Sequence, residues 1–171
     1  MLQIREFQDE DAEIIATWFQ DEVTFYRWCA GRLPHFPMQP QDLVARYAES
    51  RQNLGEQFLP IVAYDETGLA GQMFLRLMDA EQGIVRMGFV AVDAAKRGKG
   101  YGKEMLRLAL EYASEHWHAK KATLGVFENN PNAYRCYRAV GFTEDGGHHI
   151  CELMGEQWGC IEMEYIFEEK S

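Results

Sequence analysis

Between Arg97 and Lys103 the chain reads Arg-Gly-Lys-Gly-Tyr-Gly-Lys, three glycines and three cations in seven residues. Glycine removes the side chains that would hold a ligand away from the backbone. Upstream lies Ile84–Val92, a mostly apolar, β-rich run bounded by Gly83 and Asp93, which predicts a strand buried on both faces. Downstream, Tyr101, Met105, Leu108, Ala109 and Tyr112 recur with the spacing of an amphipathic helix. A strand that turns through glycines into a helix leaves the first-turn N–H groups without partners, and such a terminus binds anions, phosphate above all. A flexible turn is the plainer alternative. Arg97 and Lys99 favour the anion, because they add positive charge at this end of an acidic chain.

Two familiar phosphate loops do not fit. A P-loop needs Gly-x-x-x-x-Gly-Lys-Ser/Thr; counting back from Gly102-Lys103 puts Arg97 at its first glycine and Glu104 at its hydroxyl. A dinucleotide fingerprint needs Gly-x-Gly-x-x-Gly, and Lys103 stands where its last glycine belongs. Arg97, Gly100 and Gly102 do meet the pattern Arg/Gln-x-x-Gly-x-Gly/Ala. That pattern resembles the pyrophosphate loop of the GNAT superfamily of acyl-CoA-dependent N-acyltransferases. A second stretch, Asn130-Pro-Asn-Ala133-Tyr-Arg-Cys-Tyr137 followed by Gly141-Phe142, is similar to the family's second motif. Together the two motifs and their connection span roughly Ile84 to Phe142.

The resemblance implies a site. Val90, Ala91 and Val92 would offer main chain to the pantetheine arm, as an added strand would. Arg97, Gly98, Lys99, Gly100, Tyr101, Gly102 and Lys103 would surround the pyrophosphate, and Asn130 would touch the cofactor while capping a helix. The Val90 N–H would stabilise the oxyanion, and Tyr137 would give its proton to the departing thiolate. A core ring is the alternative role for Tyr137. Gly88 fits either a strand bulge or close packing. Many protein-acetylating members of the family carry a strand glutamate where Gly125 stands here, and glycine cannot act as a base; either ordered water would drain the proton or an acid elsewhere, such as Glu128 or Glu152, would act. Five histidines, His35, His116, His118, His148 and His149, show no metal-ligand spacing, and no metal is expected. Trp18, Trp28, Phe25, Tyr26 and Phe36 form either an acceptor pocket or a satellite core.

The elements that must carry these residues read in order. Leu2–Phe7 alternates as a strand, Asp9 caps a helix over Glu10–Gln20, and Asp21–Met38 is irregular. Gln41–Gln52 is a second helix. Phe58–Tyr64 and Gly71–Met78 pair around Asp65–Gly68 and lead into Ile84–Val92. After the long helix come a strand at Lys121–Phe127, a helix at Pro131–Ala139, and two final strands at Phe142–Glu152 and Gln157–Glu168. The expected fold is therefore α/β (α+β), a mixed and mostly antiparallel sheet of about seven strands flanked by helices, in the order β-α-α-β-β-β-α-β-α-β-β. Residues 1–171 form a single domain of that family type.

At 171 residues, 47% hydrophobic and 13% aromatic, the composition is globular. A net charge of −10 argues against coating nucleic acid or a membrane surface. The opening residues lack a leader's apolar core, and Cys29, Cys136, Cys151 and Cys160 form no Cys-x-x-Cys pair, so reduced thiols and a cytoplasmic location are expected. The implied activity is N-acetyl transfer from acetyl-CoA to a primary amine, by direct attack. Asp21 and Glu22 near aromatics, with Glu144, Asp145, Glu152 and Glu156, suggest a cationic, polyamine-like acceptor. A peptide amino terminus, as in ribosomal-protein acetylation, and an acyl-CoA-binding module without turnover are the alternatives. A homodimer is compatible with all three.

Overall fold

The computed structural model describes residues 1–169, so positions 170 and 171 of the expected domain lie outside it. Seven strands form one sheet: β1 (Gln3–Glu6), β2 (Phe58–Asp65), β3 (Gly68–Asp79), β4 (Ile84–Val92), β5 (Lys121–Phe127), β6 (Thr143–Leu153) and β7 (Glu156–Ile166). Their order is β1-β2-β3-β4-β5-β7-β6. Among the described residues every neighbouring pair is antiparallel except β4–β5. The helices are α1 (Asp11–Ala16), α2 (Glu22–Cys29), α3 (Pro40–Leu54), α4 (Tyr101–Trp117) and α5 (Pro131–Val140). None is long and apolar enough to cross a membrane.

Side chains on a strand alternate between faces, and the two faces of this sheet build two cores. On one, Ile61, Ala63, Met73, Leu75, Val85, Met87, Ala122 and Leu124 meet Met105, Leu106, Ala109 and Ala113 of α4 and Tyr137 of α5. On the other, Phe58, Val62, Leu69 and Phe89 meet Ile15, Phe25, Trp28, Leu43 and Tyr47 of α1, α2 and α3. Each fully buried Leu or Phe contributes about 1.5–3 kcal/mol relative to exposure, so both layers of helices are firmly seated.

The opening βαα differs from expectation in two ways. The helix anticipated over Glu10–Gln20 is confined to Asp11–Ala16, and Asp9 does not cap it. Asp11 fixes its start instead: its carboxylate, nearly buried, accepts from the Gln8 N–H at 2.8 Å and pairs with both terminal nitrogens of Arg5 at 2.8 Å. The segment expected to be irregular contains α2. Asp21 caps it by accepting from the Thr24 N–H at 2.8 Å, and Ala30, at φ +54°, ends it. Eight residues rich in aromatic and β-branched side chains make a poor isolated helix. Burial of Phe25, Trp28 and Cys29 decides the matter.

Candidate active site

β4 and β5 run side by side for three residue pairs, Ile84–Lys121, Val85–Ala122 and Arg86–Thr123, and then diverge. A bulge sets the path of β4 beyond that point. Gln72 faces Ala91 and Phe74 faces Gly88, so β4 carries one more residue than β3 between the same rungs. Phe89 within it has φ +52°, a left-handed conformation uncommon for a bulky residue. Both roles anticipated for Gly88 hold. It borders the bulge, and a Cβ there would collide with the Phe74 ring.

The gap between the diverging strands opens into a cavity of about 560 Å³. From the α4/α5 side it is lined by Gly102, Lys103, Ala133, Cys136 and Tyr137; from the α1/α2 side by Trp18, Phe19, Thr24, Arg27 and Trp28. The cavity thus passes through the sheet. Of the residues singled out in the sequence, Val90, Ala91, Val92, Arg97, Gly98, Gly100, Tyr101, Gly102, Lys103, Asn130 and Tyr137 line it. Lys99 does not; its ammonium lies 5.8 Å from the Tyr101 ring centroid, over the ring.

The glycine loop has the geometry that a phosphate needs. Gly98 and Gly100 adopt φ +84° and +76°, and nothing approaches within 4 Å of where their side chains would start. Gly100 precedes α4 and no side chain caps that helix, so its first amides stay free for an anion. The loop is braced from a residue that sequence reading treated only as a turn. Asp65 Oδ1 accepts from the Thr67 N–H at 2.8 Å, the Thr67 hydroxyl at 2.6 Å and Lys96 Nζ at 3.1 Å, while Oδ2 accepts from the Tyr101 hydroxyl at 2.8 Å. These bonds, the Thr67 hydroxyl first and Tyr101 next, hold the Asp65 carboxyl well below its usual range. The Asp65 carboxylate in turn pushes the Tyr101 phenol up.

Tyr137 is 7% exposed, and burial pushes its phenol well above the ordinary value. It packs at 6.2 Å, centroid to centroid, from Phe142, the Gly-Phe partner of its motif. Asn130 caps α5 loosely, its Oδ1 accepting from the Ala133 N–H at 3.5 Å. Tyr134 packs against the first core and donates its hydroxyl to Glu144 at 2.7 Å.

Gly125 has a steric reason. Arg86 reaches across β5 to Glu162 on β7, with Nη1–Oε2 at 2.7 Å and Nη2–Oε1 at 3.1 Å. A Cβ on Gly125 would stand 3.2 Å from Arg86 Nη2, 3.0 Å from Cys160 Sγ and 3.6 Å from Glu162 Oε2. Glu162 is therefore the carboxylate beside Gly125. Glu128, by contrast, is exposed and bonded to His148 Nε2 at 2.7 Å.

The acids that suggested a cationic acceptor lie elsewhere. Asp21, Glu22, Glu144, Asp145, Glu152 and Glu156 are absent from the cavity wall, which contains no carboxylate among the described residues. Local partners explain four of them: Asp21 and Asp145 accept from nearby backbone amides, Glu144 from Tyr134, and Glu156 from the Trp158 indole. Aromatic rings are what this wall holds in their place. Trp18 and Trp28 line it while also packing in the second core, whereas Phe25 is wholly core and Tyr26 and Phe36 pack against that core.

Comparison with known proteins agrees with this geometry. The sequence profile of the acetyltransferase (GNAT) domain matches residues 1–143. A spermine/spermidine N(1)-acetyltransferase of Bacillus subtilis (strain 168) is 32% identical over 94 residues. That match takes in 52% of this chain and 62% of the relative, so the chain spans less than two thirds of the relative's length. Among solved structures, spermidine N-acetyltransferase from Vibrio cholerae, in complex with CoA and spermine, superimposes with a TM-score of 0.79. The superposition covers 96% of this chain and 95% of that one at 20% sequence identity, a likeness of fold.

Proposed function

The chain belongs to the GNAT acetyltransferase family, and from that premise we propose that it transfers the acetyl group of acetyl-CoA to a primary amine. The observation that carries this reading is one cavity joining the open glycine loop to buried Tyr137 through the gap between β4 and β5. The pyrophosphate of CoA would rest on the free amides from Gly98 to Lys103, with Arg97 and Lys103 supplying charge. Val90, Ala91 and Val92 would pair with the pantetheine arm, and Asn130 would contact it from α5. The acceptor would come from the α1/α2 side.

Acyl transfer to an amine needs three services. The Val90 N–H would donate to the thioester oxygen as negative charge develops there. Tyr137, kept protonated by burial, would give its proton to the leaving thiolate. The attacking amine must lose a proton, and Gly125 supplies no base. Glu162 stands nearest that position but both its oxygens are taken by Arg86, so water reaching the acceptor side of the cavity would carry the proton out.

The polyamine class is the finer part of the proposal. It is supported by what the B. subtilis and V. cholerae proteins are named for. On this chain the rings of Trp18, Phe19 and Trp28 line the acceptor side, where an ammonium would gain cation–π attraction. A reducing, cytoplasmic setting suits the four free cysteines, two of them buried. The test is a panel of amines, with spermidine, amino acids and an amino-terminal peptide, assayed by thiol release from acetyl-CoA. Spermidine turnover above background is expected. Thiol release with none of the amines would leave an acyl-CoA-binding module, and absence of acetyl-CoA binding in folded protein would end the reading altogether.

A further inference from the structure

The second core holds a polar chain that the chemistry described so far does not use. Gln72 is completely buried, and Tyr47 is 1% exposed. The Tyr47 hydroxyl donates to Gln72 Oε1 at 2.6 Å, and Gln72 Nε2 donates to the carbonyl of Phe89. The Trp28 indole N–H donates to that same carbonyl at 2.8 Å. The direction of each bond is fixed by the last acceptor. A carbonyl cannot donate, so the Gln72 amide nitrogen must face it, and the amide oxygen then takes the Tyr47 proton. Both lone pairs of the Phe89 oxygen are thereby used.

We infer that Gln72, oriented by Tyr47, and Trp28 are positioning residues that aim the Val90 N–H at the reacting thioester oxygen. Phe89 C=O and Val90 N–H belong to one planar peptide unit, in which they point in opposite directions. Trp28, Gln72 and Tyr47 draw the oxygen toward the α1–α3 side of the sheet. The N–H therefore turns away from that side, into the gap that Val90 lines together with Tyr137. Phe89 sits at φ +52° in the bulge, a conformation that persists only where surroundings impose it. Two side-chain hydrogen bonds to its oxygen, from different elements, impose it. A buried glutamine among aromatic rings is otherwise a costly choice for a core.

This inference rests on the role proposed above for Val90, and infrared spectroscopy separates the two. Acetyl-CoA labelled with carbon-13 at the carbonyl is bound to the wild type and to Gln72→Met, Tyr47→Phe and Trp28→Phe. The bound carbonyl band is expected at lower frequency than in water for the wild type, and back toward the free value in Gln72→Met and Trp28→Phe. Turnover should fall about tenfold in Gln72→Met, less than for outright loss of an oxyanion donor, with CoA affinity and both KM values nearly unchanged. Gln72 touches no ligand, so that split is not the mark of a lost contact. Should Gln72→Met fail to fold, Tyr47→Phe keeps the ring and removes only the hydroxyl, with a smaller shift of the same sign expected. A shifted band in the wild type that stays put in every folded variant overturns the inference and leaves Val90 in place. No shift in the wild type removes Val90 itself, and the inference with it.

Discussion

The Tyr101 hydroxyl donates to Asp65 Oδ2 at 2.8 Å, tying the turn between β2 and β3 to the first residue of α4. The other Asp65 oxygen holds Lys96, just before the glycine loop. The loop's shape is thus secured by a carboxylate over thirty residues upstream, and loop and turn should loosen together.

Asp65 gives the first prediction, and its sign follows from the direction of its shift. The folded state holds this carboxyl well below its usual range, so its contribution is fully present above the unfolded value near 4 and is lost as pH falls from there through the lower folded value. Asp65→Asn should lower the melting temperature at pH 7, with the gap to wild type beginning to narrow below about pH 5 and still narrowing below about pH 3, because the folded carboxyl protonates only well under its usual range. CoA affinity should drop in the same variant. Melting curves across that range check the first effect and titration calorimetry the second; a gap independent of pH would separate these bonds from the carboxylate's charge.

Gly100 provides a test of the loop itself. Its left-handed backbone costs a residue with a Cβ about 1–2 kcal/mol, yet the space before it is open. Gly100→Ala should therefore lose some stability and keep CoA binding. Gly100→Glu should abolish CoA binding, since a carboxylate would occupy the anion's place. Calorimetry beside circular dichroism distinguishes them, and equal affinity in both variants would locate the pyrophosphate elsewhere.

For Tyr137→Phe the expected loss in turnover is about 10²-fold, with CoA affinity kept. Burial raises the phenol above its ordinary value near 10, so Tyr137 should contribute no alkaline fall in rate below about pH 10. A pH–rate profile of both proteins checks this. An alkaline limb at pH 8–9 that vanishes in the variant would contradict the buried, protonated phenol.

Gly125→Ala should destabilise by about 1–2 kcal/mol, the scale of overpacking. Its Cβ would press on Cys160 Sγ at 3.0 Å and Arg86 Nη2 at 3.2 Å. Adding Cys160→Ala should return part of the loss. Urea denaturation of the single and double variants measures both, and strict additivity would show that the sulfur is not what Gly125 avoids.

What could be read from sequence was contiguous. The glycine loop, Asn130 and Tyr137 lie in short motifs whose spacing is itself the geometry, and one cavity gathers them. What escaped depends on distant partners. Gln72 meets Phe89 17 residues on, Tyr101 meets Asp65 across 36, and Arg86 meets Glu162 across 76. Nothing local marks such pairs, because each residue alone resembles any other of its type on its own element. α2 escaped for a related reason, its helicity being imposed by burial of Phe25 and Trp28 beneath it. The acids near α2 and β6 misled in the opposite direction, since charge counted along the chain ignores the neighbours that already hold it.

The divergence of β4 from β5 has a thermodynamic consequence. Three residue pairs are the whole of the ladder between the strands β1–β4 and the strands β5–β7. Beyond that seam, among the described residues, no rung joins β4 to β5, and the facing edges gain a strand partner only from what enters the gap. A ligand laid along β4 in the gap extends the ladder, and global unfolding must first expel it. Folding free energy and occupancy then become coupled quantities, rising together by about 2.7 kcal/mol at a free concentration one hundred times Kd.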